Sequence, residues 1–93
     1  MLEVNYTTKF KKDFKKQKVK LSFEDLYIFY QVIEKLRNRI ALEPKFSDHP
    51  LEGEYGNCRD CHIKPDLVLI YYIDDESDQL VLMRLNSHSE LFS

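Results

Sequence analysis

Leu67-Val68-Leu69-Ile70-Tyr71-Tyr72-Ile73 is the stretch that decides the fold. It carries no charge, no glycine and no proline, and β-branched and aromatic side chains dominate it. An unbroken apolar run of this kind, bounded by turn residues, marks a strand covered on both faces. Lys64-Pro65-Asp66 precedes it as a tight turn, and the acidic segment from Asp74 to Asp78 follows it as another. Beyond those turns, Cys58 to Ile63 and Gln79 to Leu85 read as strands. The apolar run is therefore the middle of an antiparallel meander.

Upstream, the period changes. Leu2, Val4 and Tyr6 alternate with polar residues, which predicts a short strand. Thr7 or Thr8 can cap a following helix, in which Phe10 and Phe14 share one face and lysines occupy the rest. The pattern breaks near Lys20. Ser22, with Glu24 and Asp25 behind it, opens a second helix, because acidic side chains suit a first turn. Leu26, Phe29, Tyr30, Ile33, Leu36 and Ile40 then recur at helical spacing and predict its buried face. Pro44 ends the helical region. Lys45 to Gly56 reads as a loop holding Pro50 and both of the chain's glycines, Gly53 and Gly56, and a short tail closes at Leu91-Phe92-Ser93. The expected class is α+β in a single domain over residues 1–93: an N-terminal strand and a two-helix hairpin packed on an antiparallel sheet with a three-strand C-terminal meander.

Composition supports one core. A chain of 93 residues is too short to divide, and a hydrophobic fraction of 43% with six Phe and six Tyr excludes disorder as the expectation. No apolar run approaches the roughly 20 residues that span a bilayer, and the N-terminus lacks the layout of a signal peptide. The expected location is the cytoplasm, with no membrane partner. The net charge of −2 hides an asymmetry: residues 1–40 carry ten basic and five acidic side chains, and residues 41–93 carry four and eleven. Lys9, Lys11, Lys12, Lys15, Lys16, Lys18 and Lys20 supply most of the positive charge. Such a run can follow a phosphate backbone, grip an acidic partner, or simply be a solvated helix face.

Cys58, Cys61 and His62 look like half of a metal site, but a structural zinc needs about four ligands and no second cysteine pair exists. Residues three apart on a strand point to opposite faces, so a core thiol and a neighbour on the other side are expected, with neither metal nor disulfide. The same parity puts Asp60 and His62 on the face opposite Cys61 and Ile63. Arg84 is expected to share its side with Leu80 and Leu82, and continued extension would carry His88 there too. If that second face is concave, Asp60, His62, Asp66, Arg84 and His88 can converge on it, with His49 supplied by the loop. There is no phosphate-binding glycine loop, HExxH helix or nucleophile elbow. Metal-free RNA cleavage fits the inventory. Histidine, with an unperturbed pKa of ~6.5, suits both proton transfers, and an arginine fork suits the phosphate.

Three segments point further: Ser47-Asp48-His49-Pro50-Leu51-Glu52-Gly53, Arg59-Asp60-Cys61-His62-Ile63-Lys64-Pro65-Asp66, and Arg84-Leu85-Asn86-Ser87-His88-Ser89-Glu90-Leu91-Phe92. In order and separation they resemble the YafQ branch of the RelE/ParE-type toxins of bacterial type II toxin–antitoxin pairs, across essentially the whole chain. That resemblance implies an mRNA endonuclease acting on ribosome-bound message, with no cofactor, held inactive by a cognate antitoxin that also mediates any operator-DNA contact. It implies roles for His49, His62, Asp66, Arg84, His88 and Phe92. His88 would be the general acid, His49 or His62 the base, and Asp66 an orienting group or proton acceptor. Arg84 would hold the scissile phosphate and Phe92 would stack on a base. Asp60, Lys64, Lys11, Lys12 and Lys15 are the candidates for further substrate contacts. Asn86 stands where the family has Gly, so a positive-φ turn is expected there, and Leu67 stands where a relative has Trp. The rival readings are a ParE-like gyrase inhibitor, which has no use for the histidines, and a non-catalytic antitoxin-binding co-repressor.

Overall fold

The computed structural model describes residues 1–93. The chain runs β1 (Glu3–Tyr6), α1 (Thr8–Gln17), α2 (Phe23–Arg37), β2 (His49–Pro50), β3 (Arg59–Lys64), β4 (Leu67–Asp74), β5 (Gln79–Asn86) and α3 (His88–Phe92). Local chemistry explains the helix starts. Thr7 Oγ1 accepts the Phe10 amide at 3.0 Å, capping α1. Ser22 and Asp25 form a reciprocal capping box at α2. That helix ends at Arg37, and Arg39 takes a left-handed φ of 57°. Ile40 therefore lies beyond the helix and is exposed rather than in the core. Tyr30 is exposed as well, at the margin of the apolar face.

The sheet has five strands in the order β1-β5-β4-β3-β2. The meander β3–β4–β5 is antiparallel as expected, but β1 pairs with β5 in parallel, Glu3 opposite Gln79 through Tyr6 opposite Leu82. The sheet is thus mixed, not antiparallel. The helical hairpin carries the chain from β1 at one edge of the sheet to β2 at the other, and the meander then returns to set β5 beside β1. The predicted loop also contributes an edge strand, His49–Pro50, antiparallel to β3, and the tail forms α3.

Both faces of β4 are covered. Leu67, Leu69 and Tyr71 pack with Phe10, Phe29, Val32, Ile33 and Leu36 beneath the helices. Val68 and Ile70 are fully buried on the other face, with Cys58, Leu91, Leu51, Tyr55, Tyr72 and Met83 around them. Cys61 belongs to the first cluster and Cys58 to the second, and both thiols are free. The second face is therefore roofed by residues 51–58 and α3. No helix is long and apolar enough to cross a membrane.

A β-bulge corrects one expectation. Tyr71 pairs with Leu82 but Ile70 pairs with Arg84, so Met83 is an extra residue in β5. Leu80 and Leu82 face the helices, and the extra residue turns Arg84 to the opposite face, opposite Ile70. Parity alone had placed Arg84 on the side of the two leucines. Without the bulge its guanidinium would enter the helix-covered core.

Candidate functional site

The strand register assembles the site as two rows across the second face. His49 pairs with Asp60, Asp60 with Ile70, and Ile70 with Arg84. His62 pairs with Val68 and Val68 with Asn86, two residues before His88. Directly opposed residues share a face, and strands lie about 4.8 Å apart, so Asp60 and Arg84 backbones are separated by about 10 Å. Long side chains from the two ends of the row can meet over Ile70.

His49 is held at one end by its neighbours. Ser47 adopts a left-handed φ of 49°, which turns the chain just before the histidine. Asp48 pins the segment to the sheet: its Oδ1 accepts the Tyr71 hydroxyl at 2.5 Å and Arg59 Nε at 3.3 Å. His49 Nδ1 lies 2.7 Å from the Ser47 carbonyl and 3.2 Å from Asp60 Oδ1. Both neighbours are acceptors, so Nδ1 carries the proton and Nε2 presents a lone pair outward. The N–H is directed to the carbonyl, and Asp60 Oδ1, buried at 2% exposure of its residue, receives no hydrogen bond. Burial pushes the Asp60 carboxyl above its ordinary range, and the nearby His49, His62 and His88 oppose that rise. Of the three, His49 is in direct contact with this carboxylate.

At the other end Arg84 is clamped. Its Nε donates to Asp13 Oδ2 at 2.7 Å and its Nη2 to Asp13 Oδ1 at 3.2 Å. The Asp13 hydrogen bonds raise the affinity of the guanidinium for its proton further. His88 is exposed at the start of α3, which Ser87 caps by accepting the Glu90 amide at 3.2 Å. Its ring lies 4.7 Å from that of Phe92, and Phe92 meets Tyr55 edge-on at 6.2 Å. Tyr55, Tyr72, Cys58, Met83 and Arg84, with Lys9, line an open cleft of about 780 Å³ beside these groups.

Other predicted residues fall elsewhere. Asp66 is exposed in the β3–β4 turn. Lys64 follows a register shift after His62 and reaches Asp25 of α2 at 3.2 Å, a helix-side tie and not part of the histidine cluster. Lys11 and Lys15 line a groove with Phe10, Phe14 and Phe29 on the helix side, and Lys12 is exposed on the same helix. Asp60 is too buried to meet a substrate directly. Leu67 faces the helix-side core. Asn86 ends β5 without positive φ, so no strained turn exists there. Its side chain instead accepts Gln17 Nε2 at 3.1 Å and the Ser87 amide at 2.8 Å.

Sequence reasoning missed Asp13, Asp48 and Tyr55. Asp13 looked like one acid among helix lysines. Its signal was position: it lies three residues after Phe10 and next to Phe14, on the margin of the apolar stripe.

The chain is similar to known proteins over its whole length. A family model described as a bacterial toxin of type II toxin-antitoxin system, YafQ, matches residues 2–93. A putative toxin YafQ of Haemophilus influenzae is 42% identical over 94 residues, covering 96% of this chain and 90% of its own length. A metal-bound toxin from Helicobacter pylori superposes with a TM-score of 0.88 at 47% identity, over 99% of this chain and 100% of that one. The mRNA interferase toxin YafQ of Escherichia coli strain B is 31% identical over 91 residues, covering 97% of this chain and 95% of its own. In a crystal structure of an E. coli DinJ–YafQ complex the match has a TM-score of 0.84 at 29% identity and covers 100% of both chains.

Proposed function

Because the chain belongs to the YafQ family of toxins from bacterial type II toxin–antitoxin systems, we propose that it is an endoribonuclease that cleaves mRNA, acting on message at the ribosome. Two relatives' properties support the reading: the E. coli homologue is called an mRNA interferase, and it forms a complex with DinJ. By the same reasoning the partner of this chain is a cognate antitoxin, and contact with operator DNA runs through that antitoxin.

The observation that carries the proposal is the row His49–Asp60–Ile70–Arg84 with His62 and His88 beside it. His49 Nε2 takes the proton of a ribose 2′-hydroxyl, and the oxygen attacks the adjacent phosphorus. As the P–O5′ bond breaks, His88 protonates the departing 5′-oxygen, leaving a 2′,3′-cyclic phosphate and a 5′-hydroxyl. Arg84, with Nη1 outside its clamp, donates to the non-bridging oxygens as their charge grows. The Ser47 carbonyl orients His49, and Asp60 stabilises the ring once it is protonated. Phe92, half-exposed against His88, offers a stacking surface for a base. Asp66 would be a secondary proton acceptor at the margin.

The locked Nδ1–H tautomer favours His49 over His62 as the base. The similar toxin from H. pylori is metal-bound; the steps proposed for this chain use its own proton donors and acceptors. The test is induction of wild type and His88→Ala in cells lacking the antitoxin, with primer extension on cellular mRNA. New 5′ ends with wild type and their loss in the variant are expected. Growth arrest without new ends, or equal cleavage by both proteins, overturns the proposal.

A further inference from the structure

Asp13 is 6% exposed although it sits within the lysine-rich helix α1. A carboxylate so placed must find partners, and all of those observed lie on one short segment. Its Oδ2 accepts Arg84 Nε at 2.7 Å and the Leu85 amide at 3.0 Å. Its Oδ1 accepts Arg84 Nη2 at 3.2 Å and Asn86 Nδ2 at 3.3 Å. Burial by itself would raise the Asp13 carboxyl, but these bonds outweigh it and hold the group below the ordinary carboxylate range.

The geometry has a backbone origin. Strand β1 pairs with β5 only as far as Tyr6 opposite Leu82, and the chain then turns into α1. Thr7 continues the contact, its amide reaching the Leu82 carbonyl at 3.1 Å and its hydroxyl the Met83 carbonyl at 2.8 Å. Beyond the bulge, the Leu85 amide has no strand to receive it. Asp13 fills that place from α1 and also takes two guanidinium nitrogens of the neighbouring Arg84.

We propose that Asp13 is a positioning residue for RNA cleavage, fixing the guanidinium of Arg84. The proposal rests on the reading of Arg84 as the phosphate-holding group. Two bonds to Nε and Nη2 set the plane of the guanidinium and leave Nη1 outside the Asp13 clamp, on a group that the Tyr55 hydroxyl also approaches. The same pairing offsets the arginine's charge before RNA arrives. Arg84 then works as a directed donor and contributes little net attraction. Its loss of aim should therefore appear in kcat and not in KM.

The experiment is steady-state cleavage of a ribosome-bound message by wild type, Asp13→Asn, Asp13→Glu, Arg84→Ala and the Asp13→Asn/Arg84→Ala double variant. Asp13→Asn should lower kcat by about 10- to 100-fold, the scale of a group misplaced by an ångström, with KM within about twofold of wild type. In the Arg84→Ala background the same change should cost less than about threefold, because residues acting as a unit are not additive. Asp13→Glu, which keeps a carboxylate, should recover part of the loss. An equal loss of kcat with and without Arg84, or a rise in KM at unchanged kcat, overturns the proposal. If Asp13→Asn does not fold, two results still decide the matter. The wild-type Arg84 Nε–H should exchange slowly with solvent, and Asp13→Glu should cleave more slowly than wild type. A freely exchanging Nε–H, or full activity of Asp13→Glu, counts against the role. Absence of cleavage by the wild-type protein is a different failure, since it removes the functional reading before any variant is compared.

Discussion

Replacing Asp60 by Asn should make the protein more stable and less active. The buried Oδ1 has no hydrogen bond, and burial raises the carboxyl despite three neighbouring histidines. Burying the charged carboxylate carries a desolvation cost that a neutral amide of the same shape escapes, and the histidines offset part of it, so relief of about 1 kcal/mol is expected. For a domain of this size that is a rise in Tm of about 4–8 °C. The sign with pH follows from linkage. The folded carboxyl keeps its proton to higher pH than the unfolded one, whose value is 3.8. Wild-type stability is thus lost as pH climbs through that window, and the neutral amide does not share the loss. The difference between the two proteins should be largest near neutral pH and shrink towards pH 3. Cleavage should slow by about 10- to 100-fold, because the Ser47 carbonyl still holds the His49 ring while its counter-charge is gone. Thermal unfolding monitored by circular dichroism from pH 3 to 8, with RNA cleavage at pH 7, measures both halves. A less stable variant at pH 7, or a Tm difference independent of pH, would refute the reasoning.

Asp48→Ala should lower stability by about 1–3 kcal/mol in thermal unfolding, since it strands the buried Tyr71 hydroxyl. Adding Tyr71→Phe should restore most of that stability while leaving cleavage impaired, because the His49 segment stays unpinned. In pH–rate profiles, His49→Ala should lose the limb that falls at low pH, whereas His62→Ala should keep its shape. The opposite pattern moves the base to His62. Cleavage by the purified toxin should survive EDTA, and activity abolished by chelation and restored by added metal would contradict the proton-transfer scheme.

The apolar run at Leu67–Ile73 made the meander legible, because periodicity reports burial directly. The caps at Thr7 and Ser22 marked the helix starts for an equally local reason. Strand direction was not legible: nothing in Leu2-Val4-Tyr6 encodes whether its partner runs parallel. Edge strand β2 is two residues long and contains Pro50, so it left no alternation to read. The bulge at Met83 was invisible as well, since one extra residue does not disturb a run of hydrophobic side chains. The candidate site was legible as a set of residue types and as a family pattern. Its second layer was not, because Asp13 and Asp48 act through contacts across 71 and 23 residues of chain.

The clamp between α1 and β5 also orders events in time. Asp13 is synthesised 71 residues before Arg84. At about 5–20 residues per second, translation leaves the carboxylate without its guanidinium for roughly 4 to 14 seconds. During that interval α1 lacks its tie to the last strand, and the proposed phosphate grip lacks its guanidinium. On the proposed reading, the cleavage site is complete only after β5 and α3 have both been made.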